Sequence, residues 1–177
     1  MNKNIILVGP MGAGKSTIGL LLADALNFEF RDTDKEVEDS TGANIPWIFD
    51  VEGESGFRER ENQAINDLVK LPDAVIATGG GAVKRKDNRE LLKEFGLVVY
   101  LKTSVEQQLI RTHKDTNRPL LQQKNPKEIL TELLQQREPF YLELANLTVD
   151  TNLNSPKHIV EKIIEYKIKY ELSNVKS

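Results

Sequence analysis

With 177 residues and 39% hydrophobic content, the chain fits one domain with its own core. Its 24 basic and 27 acidic residues leave a net charge of -3, so there is no basic excess to attract nucleic acid or an anionic membrane surface, and a small or locally bound partner is expected. Cysteine is absent, which excludes disulfides and thiolate metal sites; the apolar start MNKNIILVG is too short for a signal peptide and no run approaches a membrane span of roughly 18–20 residues, so a soluble, cytoplasmic protein is expected.

The first β-branched run, Asn4 to Val8, predicts a strand, and Lys15 to Leu26 carries helical apolar spacing. Between them Gly9-Pro10-Met11-Gly12-Ala13-Gly14-Lys15-Ser16-Thr17 fits G-x-x-x-x-G-K-[ST] in the strand–loop–helix context that this motif requires. Glycines let such a backbone curl its N–H groups toward a polyphosphate, and the helix N-terminus adds the positive end of its dipole. Gly12, Ala13, Gly14, Lys15, Ser16 and Thr17 are therefore the expected nucleotide site, with Lys15 reaching the β- and γ-phosphates and the Ser16 hydroxyl on Mg²⁺. The loop says little about what is phosphorylated.

A second strand, Phe28 to Asp32, ends in the sequence FRDTD. Residues two apart in extended chain share a face, so Asp32 and Asp34 can point together into the crevice outside the carboxyl ends of the strands. Asp34 then suits substrate hydroxyls or a general base, or caps a helix beginning at Lys35; Asp32 suits Mg²⁺ through water, or orienting the nucleophile. Asp39 to Gly56 interrupts the strand–helix rhythm, and Trp47, Ile48 and Phe49 suggest a short helix with an apolar face there. A helix follows over Glu54 to Leu71. On it Arg58 and Glu61 are neighbours three apart, forming either a solvated ion pair or a fork held for a substrate carboxylate.

The run Ala74 to Thr78 predicts a third strand, followed by Gly79-Gly80-Gly81, which is either a flexible turn or a place where a ligand meets the main chain, with the Gly80 N–H as donor. Lys84 to Phe95 and Ser104 to His113 read as helices around a strand at Leu97 to Leu101. The polar connection from Thr112 to Asn125 is long enough to be functional, and a lid is the reading taken; Arg111 just before it and Arg118 within it could neutralise charge on the phosphates. Arg137, on a helix spanning Pro126 to Leu144, offers a second fork to a carboxylate. After a last strand, Leu147 to Asp150, the segment Asn152 to Pro156 is placed beside adenine, and a final helix starts near Pro156 with Ser155 as cap. Residues 171–177 are expected to fray. Trp47, Phe49 and Phe57 are read as core or pocket wall, and His113 and His158 as surface residues. Strands alternating with helices imply an α/β fold with a parallel sheet, and without a repeat or linker residues 1–177 form one domain.

Taken together, GPMGAGKST, RDTD, STGANIPWIFDVEGESGFRERE, TGGGAV, NRPLL and QREPFY resemble the shikimate kinases, over roughly Asn4 to Ile164. The phosphate loop is shared by a vast superfamily, whereas the ordered set D-x-D, F-R-x-x-E, G-G-G, R-P-L and R-x-x-x-Y is far more specific. The resemblance implies a three-layer P-loop fold with a central five-stranded parallel sheet, a shikimate-binding region at about 33–61 and a closing lid at about 112–125. It also implies that Asp34, Arg58, Gly80 and Arg137 contact shikimate, with Glu61, Gly79 and Gly81 beside them, while Lys15 and Arg118 contact ATP phosphates. ATP and Mg²⁺, and a usually monomeric enzyme that phosphorylates the shikimate 3-hydroxyl on the route to chorismate and the aromatic amino acids, come with it. The competing readings are another P-loop kinase, for gluconate or a nucleoside monophosphate, and a nucleotide-controlled switch acting on a partner.

Overall fold

The computed structural model describes residues 4–113 and 125–175, with side chains up to 173. Five strands, β1 (Asn4–Val8), β2 (Glu29–Asp32), β3 (Ala74–Ala77), β4 (Gly96–Lys102) and β5 (Leu147–Asp150), form one sheet in the order β2-β3-β1-β4-β5. Every neighbouring pair is parallel. Among the described residues seven helices flank it: α1 (Lys15–Leu26), α2 (Thr33–Thr41), α3 (Ile45–Leu68), α4 (Lys86–Phe95), α5 (Val105–Thr112), α6 (Pro126–Leu144) and α7 (Pro156–Val175).

The three central strands, β1, β3 and β4, are apolar on both faces because both faces are covered. Ile5, Leu7, Val75, Val99 and Leu101 pack with Ile18 and Leu22 of α1 and Ile159 and Ile163 of α7. Their neighbours Ile6, Val8, Ile76, Val98 and Tyr100 point the other way, onto Ile65 and Leu68 of α3, Leu92 of α4, and Tyr141 and Leu144 of α6. From β1 the chain steps toward one sheet edge and from β3 toward the other, so right-handed crossovers place α1 and α4 on opposite faces. A crevice therefore opens between the carboxyl ends of β1 and β3, the switch point at which such sheets bind ligands.

The segment after β2 builds a small core of its own from Val37, Ile48, Phe57 and Ala64. Within α3, Gly53 (φ 72°, ψ −178°) separates an eight-residue turn of helix at 45–52 from a longer one at 54–68. The expected short apolar helix and its successor are thus present. Ile48 and Phe57 are buried, but Trp47 is 53% exposed, so it forms neither core nor cleft wall as the sequence suggested. Helix α7 continues past Tyr170, where fraying was expected, because Lys169–Glu165 and Lys167–Glu171 pairs and the Ser173 hydroxyl on the Lys169 carbonyl sustain its last turns. The residue given the lid's charge, Arg118, and most of the expected lid lie outside the described residues.

Candidate active site

The phosphate loop leaves β1 through Gly9 and enters α1 at Gly14; Gly12 (φ 76°) and Gly14 (φ 90°) take left-handed backbone that a side chain would strain. Lys15 Nζ donates to the carbonyls of Gly9 and Pro10, both at 2.8 Å, which bends the side chain back over the loop. Across the loop mouth the Ser16 hydroxyl lies 3.4 Å from Asp32 Oδ2. Asp32 is both the last residue of β2 and the N-cap of α2, its Oδ1 accepting from the Asp34 N–H (2.9 Å) and the Lys35 N–H (3.3 Å). This corrects the sequence reading in one respect. The two aspartates do not share a strand face, and the capping role open to Asp34 belongs to Asp32; Asp34 sits in the first turn of α2, where the cap holds its backbone.

Thr33, between them, accepts the Gly79 N–H at 2.9 Å and so joins this turn to the glycine run after β3. The absence of side chains in that run makes room for charge. A methyl built on Gly79 would lie 2.7 Å from Asp34 Oδ1 and 2.8 Å from Glu61 Oε1; one on Gly81 would lie 2.4 Å from Arg58 Nη2; one on Gly80 would lie 3.3 Å from Arg137 Nη1. Two carboxylates and two guanidinium groups therefore converge on three consecutive glycines. Arg58 Nη1 donates to Glu61 Oε2 at 2.6 Å, and the Arg58 guanidinium also lies 5.2 Å from the Phe57 ring. Glu61 is fully buried. Burial pushes its carboxyl above the ordinary range, against the pull of Arg58.

Five buried side-chain atoms among the described residues lack a hydrogen-bond partner, and three of them, Arg58 Nε, Glu61 Oε1 and Arg137 Nε, belong to this cluster. Unsatisfied polar atoms gathered in one place mark a ligand's position better than scattered ones do. The cleft that joins cluster and phosphate loop measures about 520 Å³ and is walled by loop residues together with Asp32, Asp34, Gly79, Gly80, Arg111 and Arg137. Arg58, Glu61 and Gly81 stand just behind that wall. Thr151 also lines the cleft, as do Asn154 and Pro156 of the segment Asn152 to Pro156 expected beside adenine.

Comparison with known proteins decides what this arrangement belongs to. A model of the shikimate kinase family matches residues 11–167. A shikimate kinase from Pseudomonas paraeruginosa is 57% identical over 162 residues, 92% of this chain and 94% of that protein, and one from Thioalkalivibrio sulfidiphilus is 56% identical over 171 residues, 97% and 88%. The solved structure of an Acinetobacter baumannii shikimate kinase in complex with shikimate superposes with a TM-score of 0.93 at 50% identity, covering 97% of this chain and 96% of that one. The chain belongs to the shikimate kinase family.

As a shikimate kinase family member it is an ATP-dependent kinase with a P-loop fold. Among the described residues the structure gathers Gly12, Ala13, Gly14, Lys15, Ser16, Thr17, Asp32, Asp34, Gly79, Gly80, Arg111 and Arg137 along one cleft. Arg111 is engaged by protein. Its guanidinium donates to the Gly12 carbonyl (3.0 Å) and to the Thr151 hydroxyl (3.1 Å) and carbonyl (2.7 Å), tying the phosphate loop to the end of β5. Sequence reasoning passed over Thr33 and assigned nothing to Tyr141, whose hydroxyl donates to the Gly80 carbonyl at 2.6 Å. The available signal was spacing: Tyr141 stands four residues after Arg137, on the same side of α6. No helix among the described residues is long and apolar enough to cross a membrane.

Proposed function

We propose that the chain transfers the γ-phosphoryl group of ATP to the 3-hydroxyl of shikimate, and that the cleft divides accordingly, nucleotide on the phosphate loop and acceptor at the glycine run. The observation that carries this reading is the convergence of Arg58, Arg137, Asp34 and Glu61 on Gly79 to Gly81 beside the loop. Shikimate has one carboxylate and three hydroxyls. Two planar guanidinium forks suit the carboxylate, and a carboxylate with a backbone donor suits the hydroxyls.

In this account Asp34 accepts a hydrogen bond from the reacting hydroxyl and takes its proton as it attacks phosphorus. Lys15 leaves its loop carbonyls to follow the transferred phosphoryl group, whose charge spreads over its oxygens in the transition state. Glu61 holds Arg58 in one rotamer, and Arg137 approaches from a different helix, α6, on the same face of the sheet. Arg118, outside the described residues, is proposed to reach the phosphates from a lid at 112–125. Ser16 and Asp32 fit Mg²⁺, since a hydroxyl and a carboxylate 3.4 Å apart are hard oxygen donors that leave other positions to phosphate and water. When bound, the ion neutralises phosphate charge. Positioning and charge neutralisation supply the catalysis. The enzyme is proposed to be a cytoplasmic monomer with one domain, in which residues 33–61 receive shikimate.

A coupled ADP-release assay tests this. ADP should appear with ATP, Mg²⁺ and shikimate together, and only at background when shikimate is omitted or replaced by gluconate or a nucleoside monophosphate. Equal rates with gluconate, or a shikimate-independent rate, would overturn the acceptor assignment.

A further inference from the structure

Two buried hydroxyls from separate helices hold the glycine run. The Thr33 hydroxyl, at the start of α2, accepts the Gly79 N–H at 2.9 Å; the Tyr141 hydroxyl, on α6, donates to the Gly80 carbonyl at 2.6 Å. Both residues have no exposed surface. Main-chain bonds fix what lies between and after them, from the Ala82 N–H to the Gly79 carbonyl and from the Lys84 N–H to the Gly81 carbonyl, both 3.1 Å. Each peptide plane from Thr78–Gly79 to Gly81–Ala82 is thus held by at least one hydrogen bond, and among these bonds only those of Thr33 and Tyr141 come from side chains.

Such fastening answers a need that the glycines create. Their missing side chains admit Asp34, Glu61 and Arg58, yet three glycines in a row have more backbone freedom than any other tripeptide and would otherwise present a donor in many directions. The Tyr141 anchor is itself braced. Its ring stacks on Tyr100 with centroids 5.1 Å apart, the Tyr100 hydroxyl donates to Glu138 Oε1 at 3.1 Å, and Lys102 holds the same carboxylate at 3.0 Å. Burial pushes the Tyr141 phenol up to about 12, so it remains a donor throughout the neutral range.

We infer that Thr33 and Tyr141 are positioning residues that pin the Gly79–Gly81 backbone at two points, so that the Gly80 N–H is presented ready-oriented to the acceptor. The inference rests on the acceptor site proposed above. Neither residue touches substrate; each acts through the main chain.

The test uses the full chain with Tyr141→Phe and Thr33→Val, which delete one hydroxyl each and keep the packed shape, and Thr33→Ser, which keeps the hydroxyl. Losing a pin should raise KM for shikimate by about five-fold, the worth of one ordinary hydrogen bond, with KM for ATP within about two-fold of wild type and Thr33→Ser close to wild type. In ligand-free protein labelled with ¹⁵N-glycine, the amide order parameters of Gly80 and Gly81 should fall in Tyr141→Phe and Thr33→Val, a readout that requires no turnover. Unchanged order parameters in folded variants, or shikimate KM within two-fold of wild type for both, would overturn the pins. If Tyr141→Phe failed to fold, the contrast between Thr33→Val and Thr33→Ser would decide alone. Absence of shikimate turnover in wild type would instead overturn the acceptor reading, and the order parameters would still decide the pins.

Discussion

Gly79→Ala is the sharpest perturbation that the site offers. Gly79 is absent from the positive-φ positions, so alanine meets no backbone strain and its effect is steric. The new methyl would lie 2.7 Å from Asp34 Oδ1 and 2.8 Å from Glu61 Oε1, whereas ordinary contact begins near 3.4 Å; the deficits are 3.4 − 2.7 = 0.7 Å and 3.4 − 2.8 = 0.6 Å. Neither oxygen can retreat cheaply. Asp34 sits in a helical turn whose backbone Asp32 caps, and Glu61 is fully buried and bonded to Arg58 at 2.6 Å. Overpacking of this kind costs about 1–3 kcal/mol of stability, leaving a folded protein to assay. The catalytic cost should be larger, because a misplacement of about 1 Å at reacting groups costs on the order of a hundred-fold. A shift of 0.6–0.7 Å in both carboxylates should therefore lower kcat/KM for shikimate by roughly thirty- to a hundred-fold. Gly80→Ala should cost less, since its methyl would meet the movable end of Arg137 at 3.3 Å. Steady-state kinetics in the ADP-release assay, with thermal unfolding to confirm the fold, provide the measurement. A folded Gly79→Ala enzyme within three-fold of wild type, or one less affected than Gly80→Ala, would refute the reasoning.

Lys15→Met should abolish most of kcat with the circular dichroism spectrum unchanged, because its two loop hydrogen bonds are dispensable to the fold and its charge is not dispensable to the phosphates. Asp34→Asn should lower kcat by about two to four orders of magnitude while nucleotide affinity, measured by titration calorimetry, holds. Arg58→Ala and Arg137→Ala should each raise KM for shikimate by about ten- to a hundred-fold, the worth of a charge-assisted contact, and move KM for ATP far less. Glu61→Gln probes a raised pKa. Because the folded carboxyl binds its proton above the ordinary 4.5, the stability it contributes is complete below that value and is lost as pH rises through the folded pKa. Urea unfolding across that interval should show wild type losing stability relative to Glu61→Gln as pH rises and then levelling off; a gain with rising pH would contradict the assignment.

Residues that announce themselves by type and spacing were legible in the sequence. The bounds of β1, α1, α6 and β5 match the apolar runs and caps read from the chain, and the phosphate loop lies where its strand–loop–helix context put it. Lys84 was read as the start of a helix, but Ala82–Lys84 forms a 3₁₀ turn and α4 begins at Lys86, because local propensity cannot locate a turn imposed by packing. Asp32 shows the same limit at the site. Spacing put it and Asp34 on one strand face, whereas the chain turns into α2 directly after Asp32, which caps that helix while one oxygen still faces Ser16. Trp47 was misread because a large aromatic beside buried Ile48 suggests core, yet helical geometry turns adjacent residues about 100° apart. Spacing placed Tyr141 beside Arg137 but could not give its role, and nothing pointed to Thr33: their hydrogen bonds reach main-chain groups 61 and 46 residues away, which only the fold brings near.

The central claim concerns which atom receives the phosphoryl group. Incubating the enzyme with ATP, Mg²⁺ and shikimate and recording phosphorus–proton correlation NMR on the product tests it most directly. The account predicts a single new phosphate monoester coupled to the proton on carbon 3 of shikimate, formed in equal amount to ADP. Phosphate on another hydroxyl, or ADP released with inorganic phosphate alone, would contradict it.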